Sequence, residues 1–400
     1  MRNIGGGITA PIGFKSSAVA CGIKYENRPD LAVITSDVSA SCAGVFTTNR
    51  IKSAPVLVSR EHVKQGVARA IIANSGNANA CTGEDGIEDA IAMVGETARF
   101  LHCDPREVLI ASTGVIGRPL PIKKITGCIG KAVKELSASG SIMAAKAIMT
   151  TDTKPKESAC VIDIGGTDVR IGAIAKGSGM ICPDMATMLC FITTDADIEP
   201  AALRRALRQA VEASFNSISV DGDMSPNDTV LILANGMAGN KKIFTRSKAF
   251  EMFSEGLTDI CLNMAKDLVR DGEGATKFIT INICSAPGKE DARQIGLAVA
   301  NSPLVKTAFF GADPNWGRII CAVGSSGIAV DEANISIRIN DSHIFDSGRP
   351  MPYDEQQLRK AMAGKEIDVT IDIGMGKAEA LVYTTDLSYE YVKINAEYTT

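Results

Sequence analysis

Short β-branched runs alternate with stretches of helical period in the first half of the chain. The runs predict strands at residues 31–35, 55–59, 69–74 and 108–112. Between the last two strands, apolar residues recur on one helical face, at Ile87, Ile91, Val94, Ala98 and Leu101. A further helical region is predicted over about residues 121–147. This alternation favours layered α/β structure over an all-α or all-β fold.

A hairpin opens the middle of the chain, because residues 161–164 and 169–175 predict strands around the turn sequence Gly165-Gly166-Thr167-Asp168. Two strongly amphipathic helices are then predicted to pack on the core, one around residues 203–215 and one around residues 250–268. The remaining predicted strands are residues 189–194, 230–233, 278–283, 319–323, 335–339, 369–373, 379–383 and 389–394.

The composition argues against nucleic acid and membranes as partners of this protein. The 400 residues carry 42 basic and 46 acidic side chains, so a net charge of −4 offers no field that would attract nucleic acid or anionic lipid. Apolar runs fall short of the roughly 18 residues of a membrane span, and the start of the chain shows no leader pattern. An odd number of cysteines, 11, without CxxC spacing indicates reduced thiols in the cytoplasm.

The sequence lacks the familiar cofactor motifs. Its 3 histidines form no HExxH pattern, so a zinc site is not expected. The glycines of residues 272–277 miss the P-loop spacing, and no strand leads into a dinucleotide-binding GxGxxG. A catalytic base of another kind than histidine is therefore needed if the protein is an enzyme.

Glycine, methionine and proline crowd the segment from Lys176 to Leu189. Composition alone fits a glycine-rich loop whose methionines fill the core. Alternatively, Thr187 stands at a loop-to-strand junction, where its hydroxyl could attack the carbonyl carbon of Ala186. Cleavage there would give Thr187 a free α-amine with a pKa near ~8, which could act as the base for its own hydroxyl.

Motifs along the whole chain resemble those of the ornithine acetyltransferase family, the glutamate N-acetyltransferases of arginine biosynthesis. The strongest is Met185-Ala186-Thr187-Met188-Leu189, which resembles the family's self-cleavage site. The other matching segments, in chain order, are residues 6–14, 74–81, 112–117, 149–153, 270–274, 311–318 and 394–398.

The resemblance implies a precursor that cleaves itself into an α chain, residues 1–186, and a β chain, residues 187–400. It implies two copies of each chain, a two-domain layered α/β sandwich shared with β-aminopeptidases, and no cofactor. The implied reaction is a ping-pong transfer of acetyl from N2-acetyl-L-ornithine to L-glutamate. Use of acetyl-CoA as a second donor stays open. A self-processed amidase or β-aminopeptidase, which passes the acyl group to water, is the alternative.

The resemblance assigns the reaction's central roles to a few residues. Thr187 matches the nucleophile that carries the acetyl group, and the bond between Ala186 and Thr187 is the implied cleavage site. Thr113 and Gly114 match the oxyanion hole, which offers a hydroxyl and a backbone N–H to the tetrahedral oxygen.

Further residues match the family's substrate contacts. Lys176 matches a lysine whose ammonium suits the α-carboxylate that acetylornithine and glutamate share. Thr150 matches a substrate-binding threonine, although the adjacent Thr151 is an equal candidate. We expect Glu273 to receive the side-chain ammonium of ornithine. The C-terminal contacts, which predict that the chain end folds into the site, are Asn395 and Thr400.

Overall fold

A computed structural model describes residues 1–182 and 188–397. In this part of the chain the strands form two sheets, one of 9 strands and one of 6. The strands are β1 (Arg2–Ile4), β2 (Phe14–Val19), β3 (Leu31–Phe46), β4 (Val67–Asn74), β5 (Val108–Ser112), β6 (Lys156–Ile164), β7 (Thr167–Lys176), β8 (Leu189–Thr194), β9 (Thr229–Ala234), β10 (Phe278–Ala286), β11 (Ser336–Ile339), β12 (Ser342–Asp346), β13 (Arg349–Pro350), β14 (Glu366–Asp372) and β15 (Ala378–Thr385). The α-helices are α1 (Ala54–His62), α2 (Gly83–Leu101), α3 (Ile122–Lys134), α4 (Ser141–Ala147), α5 (Pro200–Ala213), α6 (Lys248–Arg270), α7 (Lys289–Ala300), α8 (Pro303–Phe310), α9 (Trp316–Gly324), α10 (Glu355–Met362) and α11 (Tyr389–Glu397).

The first sheet runs in the order β1-β6-β7-β8-β9-β3-β4-β5, with β2 paired to β3. Strand β7 lies antiparallel to β8, and β8 lies parallel to β9. This register sets Lys176 opposite Leu189, and Leu189 opposite Thr229. Lys176 and Leu189, the two ends of the glycine- and methionine-rich segment, therefore lie at the same edge of the sheet as the loop before β9.

Both faces of the first sheet are buried, because alternate side chains of a strand point to opposite sides. On one face, Ile171 and Ile192 pack with helices α5 and α6. On the other, Ile174 and Phe191 belong to a core that includes the alanines of α4. Because both faces of the sheet are buried, its central strands are nearly continuous apolar runs in the sequence.

The second sheet, in the order β13-β12-β11-β14-β10-β15, has a core of its own. Isoleucines of β10, β11 and β14 pack against helices α7, α9 and α10. A bridge between Ile218 and Tyr383 joins this sheet to the chain that follows α5. The predicted α/β class is confirmed, and so is the hairpin of β6 and β7.

Three predicted strands are wrong, because each segment is a helix. Residues 55–59 lie in α1, which begins with Pro55 in its first turn and buries Val56 and Val58. Residues 319–323 lie in α9, where Ile319, Ala322 and Val323 share the buried face. Packing on one face overrides the β propensity of the branched residues in both helices.

The third wrong prediction is the strand at residues 389–394, which lies in helix α11. The Ser388 hydroxyl accepts a hydrogen bond from Tyr391 N and so caps the first turn.

The helical region expected over residues 121–147 consists of two helices, α3 and α4. Backbone hydrogen bonds between Ser137 and Ser16 interrupt it. Among the described residues, no helix is both long enough and apolar enough to cross a membrane.

Candidate functional site

A cavity of about 110 Å³ lies at the sheet edge where β5 and β7 end. Its walls include every candidate site residue of the sequence analysis that the structure describes: Thr113, Gly114, Thr150, Lys176, Glu273 and Asn395. Ala186, Thr187 and Thr400 lie outside the described residues. Thr151, the alternative to Thr150, also lines the cavity. The remaining wall residues are Ile116, Ser178, Gly179, Met180, Ser225 and Asn227.

Thr113 and Gly114 offer two free donors to this cavity. Thr113 N donates to Asn74 O, which continues the β4–β5 pairing by one residue. Within the described part of the chain, neither the Thr113 hydroxyl nor the Gly114 N–H has a hydrogen-bond partner. A hydroxyl and an N–H on adjacent residues, both unengaged, are the donors that an oxyanion needs.

The loop that carries these donors is packed against a second loop. A Cβ on Gly114, whose φ is +132°, would lie 2.4 Å from Gly76 C and 2.5 Å from Asn77 N, so only glycine fits. The buried amide of Asn227 donates to Ser112 O and Ala78 O, both at 2.7 Å. Asn227 therefore ties the loop to the chain that leads into β9.

Lys176 is buried at the end of β7, with 2% of its surface exposed. Its Nζ donates to Thr150 Oγ1 at 3.0 Å. Burial lowers the pKa of the Lys176 ammonium, and the carboxylates of Asp152, Asp228 and Glu273 oppose that change. An ammonium has three donors, and of the described residues only Thr150 accepts one, which leaves donors for a ligand.

Glu273 faces Lys176 across the cavity, and two polar groups hold it in place. Its backbone N donates to Ser178 O at 2.7 Å, and its Oε2 accepts a hydrogen bond from Asn395 Nδ2 at 2.9 Å. Asn395 lies on α11, so the last described helix reaches the cavity. Thr151 points to a different partner, Ser178, whose hydroxyl is 2.7 Å from its own.

A buried ion-pair cluster beneath the cavity joins its walls. Lys156 Nζ lies 2.6 Å from Asp152 Oδ1 and 2.5 Å from Asp271 Oδ2, and all three side chains are buried. Asp152 also accepts hydrogen bonds from Thr150 N and Gly177 N. Burial alone would raise the pKa of Asp152, but the ammonium groups of Lys156 and Lys176 bring it below its usual value.

Sequence reasoning did not find Asn227 or Ser225, which reach the cavity from the loop before β9. Only the parallel pairing of β8 with β9 brings that loop to this edge. Asn77, in the matching segment of residues 74–81, forms β-bridges to Thr113 and Val115. Among residues 1–182 and 188–397, no three His, Cys, Asp or Glu side chains are grouped to hold a metal ion.

Comparisons with known proteins agree over the whole chain. The sequence pattern of the ArgJ family matches residues 15–400. The chain is 46% identical over 402 residues to the arginine biosynthesis bifunctional protein ArgJ of Symbiobacterium thermophilum, with 100% of both chains covered. It is 47% identical over 415 residues to the glutamate N-acetyltransferase of Methanocaldococcus jannaschii, again with 100% of both covered. The crystal structure of the arginine biosynthesis bifunctional protein from Bacillus halodurans matches with a TM-score of 0.51 and 36% identity, and the match covers 52% of this chain and 98% of that chain.

Proposed function

The chain belongs to the ArgJ family, and from that premise we propose that it transfers the acetyl group of N2-acetyl-L-ornithine to L-glutamate through an acetyl ester on Thr187. The family resemblance drawn from sequence motifs is thereby confirmed. The protein is an acyltransferase, a glutamate N-acetyltransferase of arginine biosynthesis. What the proposal adds is the identity of the reacting groups and of the residues that hold the substrates.

The observation that carries the proposal is the pair of unengaged donors in the cavity wall. In the first half-reaction, Thr187 Oγ attacks the acetyl carbon and gives its proton to the Thr187 α-amine. The Thr113 hydroxyl and the Gly114 N–H stabilise the tetrahedral oxygen. The carbon–nitrogen bond then breaks, and the proton passes to the leaving amine of ornithine. In the second half-reaction, glutamate's amino group attacks the acetyl carbon of the ester and the bond from that carbon to Thr187 Oγ breaks. The proton lost by the amino group passes through the Thr187 α-amine to Thr187 Oγ.

The charges of the cavity suit both amino acids. Lys176 is a buried cation with donors to spare, which fits the α-carboxylate that acetylornithine and glutamate share. Glu273 supplies the negative charge for the side-chain ammonium of ornithine. Thr150 Oγ1 accepts a hydrogen bond from Lys176 and so positions its ammonium. Asn395 Nδ2 donates to Glu273 Oε2 and so positions that carboxylate. Thr400 is proposed as a further contact from the resemblance alone.

Self-cleavage between Ala186 and Thr187 is part of the proposal, with the α chain as residues 1–186 and the β chain as residues 187–400. Such a cut would leave the first sheet joined, because β8 and β9 pair with β7 and β3 across it. The Bacillus halodurans chain is covered almost completely by about half of this one, so it is about half as long. A separate chain of that length is what cleavage would produce.

Three further features complete the proposal. Two α and two β chains assemble together, by the family resemblance. Acetyl-CoA also loads Thr187, since the same acetyl ester would form from either donor. The reaction takes place in the cytoplasm, which suits the 11 cysteines, because no disulfide joins any of them in the described structure.

Label transfer tests the proposed reaction. With acetyl-labelled acetylornithine and glutamate, we expect labelled acetylglutamate and free ornithine from the unaltered protein, none from Thr187→Val, and normal transfer from Thr167→Val in the β6–β7 hairpin. Release of the label as free acetate would instead favour an amidase. Intact mass should show a fragment that begins at Thr187. Acetylglutamate formed from acetyl-CoA without acetylornithine tests the second donor.

A further inference from the structure

Asp228 is a buried acidic residue that the proposed acyl transfer does not use. It lies immediately before β9, with 0% of its surface exposed. Its Oδ1 accepts a hydrogen bond from Met188 N at 3.0 Å. That nitrogen is bonded covalently to the carbonyl carbon of Thr187. The Asp228 carboxyl is therefore hydrogen-bonded to the residue that follows Thr187 in the chain.

The other carboxyl oxygen of Asp228 is unusual because it has no partner. Oδ2 is buried and makes no hydrogen bond in the described structure. Buried polar atoms in native proteins are almost always paired, so an orphaned one calls for an explanation such as a catalytic role. Hydrogen bonds fix the backbone of Met188 beside Asp228. Met188 N donates to Asp228 Oδ1, and Met188 O accepts a hydrogen bond from Thr229 N at 3.1 Å.

The surroundings of Asp228 favour its neutral form. Burial raises its pKa well above the usual value, and neither the Met188 N–H nor the nearby Lys176 ammonium reverses that rise. The hydroxyls of Thr47 and Ser225 also face the carboxyl and oppose the rise. Thr47 Oγ1 donates to Ser225 O at 2.7 Å, and Asp228 Oδ2 itself has no hydrogen-bond partner in the described structure. A neutral carboxyl has a proton to give.

We propose that Asp228 is the general acid of self-cleavage, an inference that rests on the cleavage in the proposed function. Thr187 Oγ bonds to the carbonyl carbon of Ala186 and the bond from that carbon to the Thr187 nitrogen breaks. Asp228 gives its proton to the leaving nitrogen, and its carboxylate then takes the proton that Thr187 Oγ loses. The products are an ester, a free amine and a neutral Asp228. Water then hydrolyses the ester to the Ala186 carboxyl group and the Thr187 hydroxyl.

Replacing Asp228 with asparagine separates this role from a structural one. The side chain introduced by Asp228→Asn keeps an oxygen that accepts from Met188 N, as well as nearly the same volume and no charge, but an amide is not an acid. Asp195 provides the matched control at the opposite end of β8. It is equally buried and accepts from Arg170 N at 2.7 Å and Ile12 N at 3.0 Å.

The experiment follows cleavage of the full chain in timed samples from cell-free synthesis on denaturing gels. We expect the unaltered chain and Asp195→Asn to yield two fragments at the same rate. Asp228→Asn should fold, as judged by its melting temperature, and cleave at least about 100-fold more slowly. Cleavage of Asp228→Asn at the normal rate would overturn this inference alone. An unaltered chain that stays whole would overturn the proposed function itself.

The pH dependence of cleavage provides a test that needs no variant. Translation is stopped early and the unaltered precursor is moved into buffers of increasing pH. The rate should fall once Asp228 ionises, since only the neutral acid can donate. Lys176, the charged group that faces Asp228, opposes its elevated pKa and so brings the fall to lower pH than burial alone would. A cleavage rate that stays constant or increases over the whole pH range would contradict the inference.

Discussion

Gly179 and Glu273 approach so closely that a Cβ on residue 179 would lie 2.4 Å from Glu273 Oε2 and 2.5 Å from Glu273 Cδ. The Glu273 carboxylate therefore occupies the space that a side chain on residue 179 would need. Glu273 N also donates to Ser178 O, which keeps the two segments in register. The position of the proposed ornithine-binding carboxylate depends on this glycine.

Gly179→Ala should therefore weaken substrate binding more than it weakens the fold. The end of a glutamate side chain can move, so the conflict displaces the carboxylate rather than the backbone. We expect kcat/KM for acetylornithine to fall about 10- to 100-fold, the range for a lost charged hydrogen bond of roughly 1.5–3 kcal/mol. Gly95→Ala on α2, where a Cβ meets nothing within 4 Å, is the control and should leave the kinetics unchanged.

Gly114→Ala should abolish both steps that need an oxyanion hole. The added Cβ meets the backbone of Gly76 and Asn77, and neither can give way as a flexible side chain would. Loss of one oxyanion donor typically costs about 10²–10³ in rate. Label transfer and cleavage should decline together by at least that factor. If Gly114→Ala transferred acetyl as fast as Gly127→Ala, a helix control with open space, the assignment would be wrong.

Lys156→Met should destabilise the protein and disturb the cavity at once. The variant removes the cation that pairs directly with the buried carboxylates of Asp152 and Asp271. Removing one member of a buried ion pair costs roughly 3–5 kcal/mol. The free energy of unfolding measured in urea should fall by about this amount. Lys131→Met, which removes an exposed pair with Glu135 on α3, should leave the unfolding midpoint unaltered.

Because Lys306 is buried, we expect the free energy of unfolding to increase as the pH rises above neutral. Burial lowers the pKa of its ammonium to about 8, against the opposing charges of Asp221 and Asp386. The unfolded chain keeps that proton up to about pH 10.4, so it binds more protons than the folded chain between these values. Stability contributed by this group therefore increases with pH across the window, by about 3 kcal/mol in all.

Comparison with Lys306→Met isolates this effect, since other groups titrate in both proteins. The free energy of unfolding from urea melts should rise more steeply in the unaltered protein than in the variant, from neutral pH to about pH 10. Parallel pH profiles for the two proteins would show that Lys306 keeps its proton in the folded state. The Nζ donates to Thr384 Oγ1 at 3.0 Å and to Thr385 O, which fits either protonation state.

The sequence by itself determined the α/β class, most strands and the family. Buried strands such as β8 and β9 are nearly continuous apolar runs, and such runs are visible in the sequence without any knowledge of the fold. The motifs also predicted Thr113, Lys176, Glu273 and Asn395 as site residues, and these four line one cavity. Local patterns misassigned α1 and α9, because branched residues favour strands until packing selects one helical face. They also misassigned α11, which has no buried residues and whose first turn is capped by Ser388.

Only the tertiary structure decided which distant groups share the site and what protonation they favour. Asn227 and Asp228 reach the sheet edge through the pairing of β8 with β9, a contact that no local pattern encodes. The requirement for glycine at residues 114 and 179 comes from neighbours far along the chain. Burial is likewise a property of the folded molecule. The lowered pKa of Lys176 and the raised pKa of Asp228 result mainly from exclusion of water, which sequence alone does not specify.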